Sequence, residues 1–204
     1  MEIMGMAMNH QEIFANHIVE QVGAALAKLP QKTRNDIYAL SFWVSGGDEW
    51  LPSLLVSYNT HQQVKENQND TLEQGDEAKW NFAYWLQDEA ELFCVDLYQN
   101  NQELETWLQH SSFAYTEDEF ESIFDDDGND DVEEKSDKFY QAFVATQIAV
   151  VQRLFDENVI ADVFGQNIPV IIHELEYYDE PFSWTERANP KGLADEFLNY
   201  WRNQ

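Results

Sequence analysis

The chain has 204 residues, enough for one domain, and sets 39 Asp and Glu against 11 Lys and Arg for a formal net charge of −28. Such a field repels nucleic-acid phosphates and anionic membrane surfaces, because binding either depends on Lys and Arg displacing counterions; it favours basic proteins, cations or simple solubility. With 44% apolar and 14% aromatic residues global disorder is excluded, and the single Cys94 allows no intramolecular disulfide, which points to a reducing, cytoplasmic setting.

Residues 1–8 contain four Met and neither a basic nor a long apolar stretch, so they read as a frayed lead rather than a targeting segment. A helix is predicted over residues 9–29, with Asn9 as cap, Glu12 as its capping-box partner, and Phe14, Ile18, Val22, Leu26 and Leu29 on one stripe. Pro30 closes it. Two strands follow, 37–44 and 53–58, joined as an antiparallel hairpin in which Gly46-Gly47 supplies positive φ angles. The first is continuously apolar, which places the hairpin centrally in a sheet with both faces covered. Thr60 or Asn59 caps a short helix.

Trp80, Phe82, Tyr84 and Trp85 form a dense aromatic group, better placed in a core than on a ligand platform. Residues 92–97 are too short for periodicity to decide between strand and helix, and 101–110 reads as a helix with Leu104, Trp107 and Leu108 inward. Thr116 and Glu119 make a second capping box. The run that follows, residues 125–135, is so rich in like charge that it reads as a solvated acidic loop, with a long helix resuming over 137–158. Residues 169–177 suit an inner strand, and Asn189-Pro190 suits the start of a last helix. The fold class is α+β: one domain, a mostly antiparallel central sheet flanked by helices.

Motifs for chemistry are few. Asp125, Asp127 and Asn129 hold the first three ligand positions of an EF-hand loop, yet Asp130 stands where glycine is required and Ser136 where glutamate is. His173 and Glu174 lack the second histidine of a metalloprotease helix. There is no nucleophile elbow and no phosphate-binding glycine loop, so neither a catalytic residue nor a cofactor or metal site is assigned. Cys94 sits in an apolar run and reads as an inert thiol.

Residues 37–59, the segment Lys79-Trp80-Asn81-Phe82-Ala83-Tyr84-Trp85-Leu86 and the closing Ile171-Ile172-His173-Glu174-Leu175-Glu176-Tyr177-Tyr178-Asp179-Glu180 resemble an uncharacterised bacterial family of about this length. In its compact, acidic, motif-free look the chain is similar to bacterial toxin-immunity proteins of the SUKH-like kind. That likeness implies a binding protein and carries over no catalytic residue.

The function expected is therefore non-catalytic: capture of a basic protein, such as a toxin domain, with no nucleic-acid or membrane partner. Asp125, Asp126, Asp127, Asp130, Asp131, Glu133 and Glu134 are the first candidate contacts, and Tyr178, Asp179 and Glu180 the second. The competing expectations are that these charges only solvate a loop on an acidic scaffold, or that two or three carboxylates serve a hydrolase.

Overall fold

The computed structural model describes residues 9–46, 49–68, 75–86, 90–125, 128–175 and 179–203. At the centre is a four-stranded sheet in the order β3-β2-β1-β4, with β1 at Ile37–Ser45, β2 at Ser53–Thr60, β3 at Phe93–Val95 and β4 at Val170–His173. The hairpin β1–β2 occupies the middle, as the apolar run in β1 predicts. β2 pairs antiparallel with both β1 and β3, whereas β4 runs parallel to β1. The sheet is thus mixed, and the fold is α+β.

Helices cover both faces. Leu40, Phe42 and Val44 of β1, Leu54 and Val56 of β2, and Val170 and Ile172 of β4 point into the main core. There they meet α1 (His10–Lys28) and α7 (Asp130–Asp156), which contribute Phe14, Ile18, Phe139, Phe143 and Leu154. The α1 stripe is the one the sequence periodicity marks, and the Asn9 side chain accepts from the Glu12 backbone N–H at 2.7 Å. A second, aromatic core lies on the other face. Here Tyr38 and Ile171 pack with Trp80, Phe82 and Trp85 and with Phe197 of α10 (Asp195–Arg202). A register shift between Ile37 and Ala39 lets both Tyr38 and Ala39 serve this second core. Burial is therefore the fate of Trp80, Phe82 and Trp85, while Tyr84 is half exposed.

Three expectations need correction. Residues 130–135 are not loop: α7 begins at Asp130. Asn129 caps it through the Val132 backbone N–H, three acids fall in the first turn where the helix dipole favours them, and Asp131 and Glu134 pair with Lys135 and Lys138 one turn on. Like-charge repulsion loses to that arrangement. Next, β4 is an edge strand rather than an inner one, and shorter than its apolar run suggested. Its free side is closed by α9 (Asp179–Ala188). Finally, Asn189 does not cap the last helix, because its amide is consumed at that same strand edge.

The closure is specific. Thr185 Oγ1 accepts from the Ile172 N–H and donates to the Ile172 carbonyl, both at 3.0 Å. Asn189 accepts from the Val170 N–H at 2.9 Å and donates to the Val170 carbonyl at 2.7 Å. The spacings match: four helical residues rise about 6 Å and two strand residues about 6.6 Å. At the opposite edge, Asn100 donates to the Cys94 carbonyl at 3.1 Å. Both sheet edges thus carry side-chain stoppers against strand addition.

Candidate binding groove

A concave surface follows α7 along the stripe Glu133, Asp137, Tyr140, Val144 and Ile148, residues four, three, four and four apart that share one helix face. From first to last the stripe rises about 22 Å. It consists of two adjoining basins that share Asp137 and Tyr140.

The first basin, of about 320 Å³, is walled by Phe120 of α6 (Glu117–Glu121) and by Ile123 and Phe124 of the 3₁₀ turn that follows. Glu133, Asp137 and Glu174 bring three carboxylates to it. The predicted capping box fixes its far wall: Glu119 N–H donates to Thr116 Oγ1 at 3.2 Å and the Glu119 carboxylate accepts from the Thr116 N–H at 2.8 Å. The Thr116 N–H and, at 3.0 Å, the Thr116 hydroxyl both donate to the Glu119 carboxylate and hold its pKa below the ordinary value. The floor is fixed by Tyr140, whose hydroxyl donates to Glu174 and whose ring lies against Gly46. A methyl group on Gly46 would overlap the ring carbons. Gly46 does not take positive φ, so the glycine is required by this close approach and not by the hairpin turn; Gly47 lies outside the described residues.

The second basin, of about 400 Å³, lies between α7 and α9 and is lined by Glu180, Trp184 and Arg187 from the latter. Helix α9 is held in place by its bonds to β4, so the strand-edge closure also builds this wall.

The predicted contact residues divide accordingly. Glu133 and Glu180 line the groove, one in each basin. Asp130, Asp131 and Glu134 stand exposed near the start of α7, the last two in ion pairs with lysines. Asp125 is exposed after the 3₁₀ turn, and Asp179 is exposed at the start of α9. Asp126, Asp127 and Tyr178 lie outside the described residues. Asp137, Tyr140, Glu174 and Phe124 were not foreseen as contacts. The α7 stripe was legible in the spacing, but the side chains facing it, from the turn before α7, the exit of β4 and α9, are brought there by tertiary packing.

Ser41 Oγ lies 2.8 Å from His173 Nε2, and His173 Nδ1 lies 2.7 Å from the Glu174 carbonyl. Since a carbonyl only accepts, Nδ1 carries the proton and the Ser41 hydroxyl donates to Nε2. This has the form of a nucleophile and its base. Both side chains are wholly buried within the sheet, however, and neither lines the groove. Burial pushes the His173 pKa down to about 4, so the ring is neutral and serves to tie β1 to β4. Burial and a hydrogen bond to Asp96 push the Cys94 thiol up to about 12, which makes it a poor nucleophile. Among the described residues no three His, Cys, Asp or Glu side chains converge as a metal site, and no helix is long and apolar enough to cross a membrane.

No family model matches the chain, and no curated protein or solved structure matches it.

Proposed function

We propose that the protein is a non-catalytic, cytoplasmic binding protein that captures a basic protein partner, most concretely an immunity protein that neutralises a basic toxin domain. The observation that carries this reading is the α7 groove, where Glu133, Asp137, Glu174 and Glu180 alternate with aromatic side chains. Aromatic residues with charges at the margin are what protein interfaces enrich, and they suit a partner bearing Lys and Arg. The net charge of −28 adds long-range steering toward such a partner. Stoppers on both sheet edges leave helix faces rather than strand addition as the mode of contact.

Pull-down from the protein's own cell type should recover a partner of high isoelectric point. Their association should be fast at low salt, approaching about 10⁸ M⁻¹s⁻¹, and fall steeply as salt is added. The three carboxylates of the first basin also support a second reading, a carboxylate-dependent hydrolase. Turnover of a small substrate by the purified chain, with no basic partner recovered, would favour that alternative.

A further inference from the structure

We propose that His10 and His110 form a binding site for a divalent transition-metal ion, tightest for Cu²⁺, which staples the start of α1 to the end of α5 (Gln102–His110). Neither histidine lines the α7 groove, so the site stands independently of the partner reading. Helices α1 and α5 pack antiparallel in three layers. In the middle layer the Phe14 ring meets Trp107 at 5.6 Å, and both are buried. One end carries His17 beside Glu103, with Nδ1 3.9 Å from the carboxylate. The other end carries His10 and His110, whose ring centroids stand 4.3 Å apart with planes inclined by 33°. Aromatic packing beneath them fixes the spacing of the helices, so the two imidazoles come together without any backbone movement.

Each ring is in a state that suits a ligand. His110 Nδ1 lies 2.8 Å from the Thr106 carbonyl. A carbonyl only accepts, so Nδ1 carries the proton and Nε2 keeps its lone pair. Metal-binding histidines take this arrangement, one nitrogen donating to a fixed acceptor while the other faces the ion. The His10 ring makes no hydrogen bond among the described residues, so nothing holds it from turning a nitrogen toward the ion.

Geometry and ligand type then select the metal. With metal–nitrogen bonds of about 2.1 Å, two imidazoles at right angles around one ion have centroids about 4.5 Å apart, and at the tetrahedral angle about 5 Å. The observed 4.3 Å matches the right-angled case, two neighbouring positions of a tetragonal ion. Imidazole suits first-row ions, among which Cu²⁺ binds tightest, whereas Mg²⁺ and Ca²⁺ take oxygen. His17 and Glu103 lie seven residues along each helix, about 10 Å away, so the protein supplies two nitrogens and water the remaining ligands. His110 is exposed and His10 half-exposed, which leaves room for that water. The negative end of α5 offsets the positive end of α1, and the net charge of −28 draws cations to the surface.

The test adds CuCl₂ in substoichiometric steps to the ¹⁵N-labelled full chain. The paramagnetic ion should first broaden the amides around His10 and His110, and frozen-solution EPR should show coupling to two nitrogens. His10→Gln and His110→Gln, each checked by its own spectrum for an intact fold, should weaken Cu²⁺ about tenfold or more. His61→Gln, packed on Tyr38 in the second core, should leave the affinity unchanged. NiCl₂ and ZnCl₂ should bind at the same place more weakly, and MgCl₂ should not. Saturating CuCl₂ should also raise the thermal midpoint of the parent and leave that of His110→Gln where it was. Broadening that begins elsewhere, an affinity retained by both histidine variants, or the same response to MgCl₂ would overturn the assignment and leave the two rings as a stacked pair.

Discussion

Helix α9 turns one face to the sheet and another to the groove, and the two are built on opposite rules. On the sheet side every polar atom of Thr185 and Asn189 that reaches β4 meets a backbone partner, and both residues are buried. On the groove side Glu180 and Arg187 stand in water beside a half-buried Trp184. The first face spends its hydrogen bonds on closing an edge; the second keeps charge and ring available. A binding protein needs both, since the precision of an open surface comes from the rigidity of the closed one beneath it.

The sharpest way to break the comparison is to open the closed face. Thr185→Val with Asn189→Leu leaves the N–H and C=O of Ile172 and Val170 without partners, at about 1–3 kcal/mol for each orphaned group. The pair should lower unfolding free energy by about 4 kcal/mol in urea titration, a few times a typical single substitution. It should also promote self-association through the bared β4 edge, seen as a concentration-dependent sedimentation coefficient. A double variant that stays monomeric and equally stable would show that the edge is protected by something else.

Gly46 tests where the two rules meet. Gly46→Ala drives a methyl group into the Tyr140 ring, so about 1–3 kcal/mol should be lost and the bond from Tyr140 to Glu174 disturbed. Changed Tyr140 and Glu174 resonances would place the damage in the groove; a change confined to the hairpin would return the glycine to a turn role.

Adjacent residues of β4 and its exit repeat the contrast, His173 inward and Glu174 outward. With the His173 pKa near 4 when folded and 6.5 when free, the unfolded chain binds a proton that the folded chain refuses. Stability due to this residue is therefore complete above about pH 6.5 and lost as pH falls toward 4. Between pH 7 and 5 the loss should be about 2 kcal/mol, and His173→Gln, less stable at pH 7, should show a flatter dependence over that range. An unchanged slope in the variant would mean that other groups set the acid response.

These elements also show what the residues disclose before folding. Local signals were sound: the Asn9 cap, the Thr116 and Glu119 box and the β1–β2 pairing depend on neighbours a few residues apart or on strong apolar runs. The start of α7 is hidden in the sequence because a run of acids signals repulsion, whereas their position in a first turn makes them favourable. Read against Asn129, Lys135 and Lys138, the same residues make a good first turn. Asn189 departs from its local pattern for another reason. Asparagine before proline suits a helix cap, but the strand 19 residues earlier offered it two backbone partners, which no local rule reveals. The groove is the extreme case. Its α7 stripe can be counted in the sequence, whereas Glu174, Phe124 and Trp184 reach it only through tertiary packing.

The central claim, that this groove recognises a basic partner, is tested most directly by association kinetics with the partner recovered by pull-down. The parent should be compared with a variant carrying Glu133→Gln, Asp137→Asn and Glu174→Gln, and with one carrying Glu20→Gln, Glu66→Gln and Asp156→Asn. Each variant removes three charges, so general steering falls equally in both and the two should show similar association rates. Only the groove variant should dissociate faster, by about tenfold or more, because only there do the lost charges lie within the contact. Equal dissociation from the two variants would contradict the account and return these carboxylates to the status of a solvated surface.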